Sequence, residues 1–132
     1  MNVEIVMALR LLLAAFLGAI IGYQRERAQK PAGLRTHTLI CIGSALFTVA
    51  SIYGFGVDAD PSRLAAGIVA GIGFLGAGAI IRHREHLVGL TTAATIWAVA
   101  AIGLAAGAGL YIISAVTTAI VLIILLLPHP IR

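Results

Sequence analysis

Long apolar runs separated by short polar breaks fill the whole chain, and the breaks predict five helices. The first run predicts a helix over Ile5 to Tyr23. After the polar stretch "QRERAQKPAGLR" a second runs over Thr38 to Tyr53, and a third over Pro61 to Ile81. From Leu87 to Leu127 the chain is apolar without a break for 41 residues. That is roughly 60 Å of helix, about twice the ~30 Å hydrocarbon core of a bilayer. It must fold back, and the glycine-dense "GLAAGAG", Gly103 to Gly109, is the predicted hinge. A fourth helix then covers Leu90 to Ala105 and a fifth Leu110 to Leu127, stopped by Pro128 and Pro130. The expected fold is an all-α membrane protein, a compact bundle of five transmembrane helices forming one domain over residues 1–132.

Composition excludes a soluble domain. Only 11% of residues are charged and 61% are hydrophobic, where a soluble domain carries about 25% charged residues. The basic cluster follows the first run, the reverse of a signal peptide, so that run is read as a retained helix. The net charge of +4 is explained by topology, and no nucleic-acid partner is expected. Arg25, Arg27, Lys30, Arg35, Arg82, Arg84 and Arg132 all fall on one side of a five-helix layout. Only Arg63 falls in a loop on the other side, with Glu4, Asp58 and Asp60. Positive residues favour the cytoplasmic side, so the N-terminus is expected outside and the C-terminus in the cytoplasm. The single cysteine, Cys41, lies in an apolar run and is expected to be small buried packing rather than a disulfide partner.

Helices in lipid associate through small residues that let backbones approach. Ala14, Gly18 and Gly22 form such a stripe on the first helix. On the third, Gly67, Gly71 and Gly78 share one face and Gly73 and Gly76 the opposite one. The third helix is therefore expected to be central, touching neighbours on both sides. The alternative is a thin helix that opens its carbonyls to an ion.

Few polar residues enter the apolar runs. Arg10 is expected either to snorkel outward or to pair with Glu4, Asp58 or Asp60. Asp60 before Pro61 is a helix N-cap signature, with Asp58 and Asp60 as a weak alternative magnesium site. His83 and His86 have ligand spacing if helical, though a polar interfacial loop is the plainer reading. Thr92 and Thr95 bond back along the fourth helix, cross to a neighbour or line a pathway. Trp97, far from the interface that tryptophan prefers, is expected to fill a gap between helices. No nucleophile–base pair or phosphate loop is present, so no enzymatic activity and no cofactor are expected. The absence of carboxylates deep in the helices argues against a cation-coupled carrier.

The stretch "RERAQKPAGLRTH" carries more detail than an anchor needs. Its Pro31-Ala32-Gly33 turn leads Arg35 and Thr36 into a helix N-terminus, where basic charge and free N–H groups favour an anion such as a phospholipid headgroup. An ion pair between Glu26 and Arg35 is expected to lock the first two helices, with Arg25 nearby. At this point the chain resembles the MgtC/SapB family of bacterial membrane proteins. "RLLLAAFLGAIIG" followed by "RE", "PAGLRTH", "GIGFLGAG" and "GLTTAATIWAVAAIG" occur in the family's order and spacing.

The resemblance implies a multi-pass protein of the bacterial inner membrane, linked to growth in low magnesium and, in pathogens, to virulence. It implies regulation of other membrane proteins, ATP synthase or a transporter among them. The alternatives are a magnesium or other ion pathway formed by an oligomer, with Mg2+ as its ion, and a structural or lipid-binding role. Membrane lipids and a second copy of the chain, as a dimer, are the other expected partners. Many members carry Glu at the position of Gln24 and a basic residue at that of Val88. Classical members continue into a cytoplasmic domain resembling an ACT-type module, so the resemblance is to their hydrophobic domain alone.

Overall fold

A computed structural model describes residues 2–83 and 86–128, with 81–83 and 86–88 described by their backbone alone. Five helices make up the bundle: α1 (Val3–Arg27), α2 (Leu34–Tyr53), α3 (Pro61–Ala79), α4 (Leu90–Gly107) and α5 (Tyr111–Leu126). The first four are long and apolar enough to cross a membrane. At 16 residues, α5 reaches only about 24 Å as helix, short of a ~30 Å core.

Three of the helix ends have a clear local cause. Asn2 caps α1 by accepting from the Glu4 N–H at 2.7 Å. Asp60 caps α3 with Pro61 in the first turn, as its sequence predicts. The carboxylate accepts from Ser62 twice, from N at 3.0 Å and from Oγ at 2.7 Å. These bonds hold the exposed Asp60 carboxyl below the usual carboxylate range. α4 ends in a Schellman motif: Leu110 N donates to Ala105 O at 2.9 Å and Gly109 N to Ala106 O at 3.1 Å, with Gly109 at φ 88°. The predicted hinge is thus only its last two residues, Ala108 and Gly109, and Gly103 and Gly107 remain helical.

Two other expectations are corrected at the termini. α1 continues four residues past Tyr23, and α2 starts at Leu34, before Thr38 and next to the alternative start that the sequence offers at Arg35. Between α3 and α4, strands β1 (Ile81–His83) and β2 (His86–Val88) pair antiparallel, with His83 opposite His86. The helical spacing considered for these histidines does not form. Arg84 and Glu85 lie outside the described residues.

α2 and α4 form the middle of the bundle. α1 packs against both, α3 rests on α4 and α2, and α5 on α4 and α1. Ala14, Leu17 and Ile21 of α1, Cys41 and Ala45 of α2, and Val99, Ile102 and Ala106 of α4 make the main core. Ile68 and Ile72 of α3 pack on Ile96 and Ala100 of α4 in a second cluster. Close approach occurs where small residues face one another. A β-carbon on Gly18 would lie 2.6 Å from Cys41 Cβ, and one on Gly22 2.8 Å from Leu34 Cα. Gly103 abuts the Cys41 carbonyl and Gly107 the Ala45 carbonyl. Gly18 of α1 and Gly103 and Gly107 of α4 therefore all close on the Cys41–Ala45 stretch of α2, while Gly22 closes on Leu34.

The third helix is not central. It buries only Ile68, Ile72 and Gly76, and a β-carbon on Gly76 would make an ordinary 3.7 Å contact with Ala93. Around Gly67, Gly71, Gly73 and Gly78 there is open space, so these four pack on nothing within the chain. Trp97 fills no internal gap either, being 58% exposed on the outside of α4. The central place belongs to α4, which contacts all four other helices and leaves Trp97 on its uncovered side.

Candidate functional site

At one end of the bundle α1 and α3 finish while α2 and α4 begin, and the polar motifs of the chain meet there. α1 delivers Arg25 on its inner face, one turn beyond the packed Ile21 and Gly22. Arg25 is only 3% exposed. Its guanidinium donates to Thr92 Oγ1 of α4 and, at 3.3 Å, to the Pro31 carbonyl in the α1–α2 loop. Its Nε is buried and finds no partner among the described residues.

His37, fully buried one turn into α2, lies beside this arginine tie. Its Nδ1 is 3.0 Å from Gly33 O, an acceptor, so Nδ1 carries a proton. Its Nε2 is 3.1 Å from Thr95 Oγ1, which also reaches Thr92 O at 2.8 Å. The one hydroxyl proton of Thr95 serves a single acceptor at a time. With neutral His37 it goes to Nε2; with the imidazolium, Nε2–H donates to Oγ1 and the hydroxyl turns to Thr92 O. Arg25, Thr92, Thr95 and His37 thus form one buried network joining α1, α2 and α4.

Glu26, next to Arg25, faces outward and turns back over the loop. Its Oε1 accepts from the Leu34 N–H at 3.0 Å, which caps α2 from eight residues upstream. Gly33 leaves room for this bond: a β-carbon there would press on Glu26 Oε1 and force it to shift. So Glu26 locks α1 to α2, but through the backbone and not through the expected ion pair with Arg35. Arg35 and Thr36 are exposed on the first turn of α2. Ala32 takes the left-handed conformation at φ 58° and packs beside the Ile68–Ile72 cluster. Gly89 enters α4 at φ 95° against the Ala79 carbonyl, where a side chain would collide.

Arg10 sits at the opposite end, where its partners are tyrosines and a carbonyl rather than Glu4, Asp58 or Asp60. It donates through Nε to Tyr111 Oη at 3.0 Å and through Nη1 to Gly107 O at 3.1 Å. Its guanidinium lies 5.5 Å from the Tyr53 ring centroid and 5.8 Å from that of Tyr111. The arginine therefore ties α1 to α2, α4 and α5 without a carboxylate. Arg63, Asp58 and Asp60 are at this end, Asp60 being engaged as the α3 cap. Among the described residues no group of three or more His, Cys, Asp or Glu side chains could hold a metal.

Sequence reasoning gave no role to His37, Tyr53 or Tyr111. For His37 the signal was an ionisable side chain at the point where the polar stretch enters the second apolar run. The tyrosines gave none, because their role depends on helices far apart in sequence.

The motifs that build this end match a family model, described as the MgtC family, over residues 11–132. This chain belongs to the MgtC family. Among curated relatives it is 52% identical over 110 residues to "Putative magnesium transporter YhiD" of Escherichia coli strain K12, covering 78% of this chain and 51% of that protein. It is 46% identical over 117 residues to "Protein MgtC" of Brucella abortus strain 2308, covering 89% of this chain and 49% of that protein. With "Protein SrpB" of Synechococcus elongatus it shares 45% identity over 118 residues, 80% of this chain and 65% of that one. The chain spans about half the length of the first two relatives. No solved structure matches it. Membership makes it a membrane protein of the MgtC family, in agreement with the four helices able to span a bilayer.

Proposed function

We propose that this MgtC-family chain regulates other membrane proteins during adaptation to low magnesium, in the bacterial inner membrane. The observation that carries the reading is the sign of the buried charge. Glu4, Glu26 and Asp60 are exposed, and the buried charged side chain among the described residues is the cation Arg25. A magnesium path through the bundle would need oxygen ligands, carboxylates above all, where this protein places a guanidinium. Partner helices have a place to dock, since Gly67 and Gly71 of α3 line an open groove between α2 and α3 that no side chain of the bundle fills. In this reading the end holding Arg25 and the α1–α2 loop faces the cytoplasm, following the arginine and lysine excess. The same open groove suits a second copy of the chain, and a homodimer is part of the proposal.

The test is magnesium flux into liposomes holding purified protein and a trapped magnesium-sensitive dye, with Arg10→Ala and Arg35→Ala alongside. No flux from folded, inserted protein is the expected result. Flux that either substitution abolishes would replace regulation with an ion pathway, the activity that the Escherichia coli relative's name carries.

A further inference from the structure

A groove of about 700 Å3 runs along the outside of the bundle between α1 and α5. On α1 its wall follows one helical stripe from Phe16 through Ala19, Ile20 and Tyr23 to Arg27; Leu122 and Leu126 supply the α5 wall. Ala19 opens the groove because a methyl is all it offers. Gln24 spans its floor, with Nε2 directed at Leu125 O at 3.5 Å. From Phe16 to Arg27 the groove is roughly 16 Å long, about the depth of one leaflet of a ~30 Å hydrocarbon core.

Charge lies at one end only. Arg27 Nη1 donates to Tyr23 Oη at 2.9 Å, and the guanidinium stacks 5.7 Å from the Tyr23 ring centroid. Both contacts hold a cation at the mouth of the groove. A guanidinium carries five N–H donors, and this bond engages one of them on an exposed side chain. Arg25, two residues earlier, is buried and takes no part.

We propose that this groove seats an acyl chain of an anionic phospholipid, whose phosphate rests against Arg27. The apolar walls match the chain, the leaflet-length stripe matches its reach, and the fixed guanidinium matches its charge. A second copy would leave the Arg27 cation facing another Arg27 across a symmetric contact, and an uncharged helix would leave it unpaired. The inference does not depend on the regulatory reading above.

Native mass spectrometry of the purified full chain in detergent tests it, with phosphatidylglycerol and phosphatidylcholine of equal chain length as probes. Inorganic phosphate is a third probe. Wild type is expected to retain phosphatidylglycerol over phosphatidylcholine, and Arg27→Gln to lower that preference about fivefold. Arg63→Gln, the same charge change at the other end, is expected to keep the preference. Ala19→Phe, filling the groove, is expected to lose both lipids, with circular dichroism melting confirming that each variant is folded. Equal retention of the two lipids by wild type overturns the proposal. So does an Arg27→Gln variant that behaves as wild type. Binding of inorganic phosphate as tight as that of the lipid overturns the role of the groove, and Ala19→Phe that breaks a dimer while leaving lipid retention intact assigns the groove to a second copy.

Discussion

Gly103 of α4 lies directly against the backbone carbonyl of Cys41 in α2, with no room for a β-carbon between them. Backbone cannot give way as a flexible side chain can. Gly103→Ala is expected to destabilise the bundle by about 1–3 kcal/mol. Gly67→Ala, on the open face of α3, is expected to stay within ~0.5 kcal/mol. Thermal or denaturant unfolding of both variants in one detergent decides whether these two glycines differ as the packing says. A large loss at Gly67 instead would show that the α3 face is covered in the folded protein.

The tie between Arg25 and Thr92 makes a prediction of coupling. Thr92→Val leaves a buried guanidinium short of an acceptor and is expected to cost about 1–3 kcal/mol. Arg25→Met removes the donor too, so the double variant is expected to lose clearly less than the sum of the single ones. Additive losses in the double-mutant cycle would mean that the tie carries no energy of its own.

Glu26 and Gly33 are coupled by shape as well as by charge. Gly33→Ala drives a methyl into Glu26 Oε1 and so expels the cap from the Leu34 N–H. Glu26→Ala alone is expected to cost about 0.5–1.5 kcal/mol, the worth of one hydrogen bond. Adding Gly33→Ala to that variant is expected to cost little more, since the obstruction is already gone. Protection of the α2 N-terminal amides from hydrogen exchange reports the cap directly, and is expected to fall in either single variant.

Asp60 supplies a pH dependence with a defined sign. Its folded-state carboxyl is held below the ordinary value by the Ser62 hydroxyl and N–H. The cap is therefore fully present above the unfolded-state value and is lost as pH falls through the lowered one. Acid unfolding of wild type is expected to show a small component in this range that Asp60→Asn lacks. Equal acid slopes for the two proteins would rule out the cap as its source.

The helices themselves were legible because their apolar runs exceed anything a soluble core needs, and the Asp60-Pro61 start was legible from two adjacent residues. Thr92 and Thr95 were also visible as polar residues on an apolar helix. Their partners were not. That Thr92 meets Arg25 depends on α4 packing across α1, 67 residues away in sequence. Glycine spacing misled in α3, since a stripe of small residues looks the same whether it faces a neighbour or the outside. In α4 the reverse happened: Gly103 and Gly107 looked like a hinge because glycine density signals both a bend and close packing. For Arg10 the sequence offered snorkelling or the nearby acids, but not the tyrosine rings and helix-end carbonyl that hold its guanidinium.

Arg10 and Arg25 hold opposite ends of the bundle, and both donate only to hydroxyl and carbonyl oxygens. Arginine remains protonated throughout the physiological range, and these acceptors do not titrate there. Acid surroundings that would neutralise an arginine–carboxylate pair therefore leave both clasps closed. The bundle thus keeps both fastenings through the range in which carboxylates take up protons.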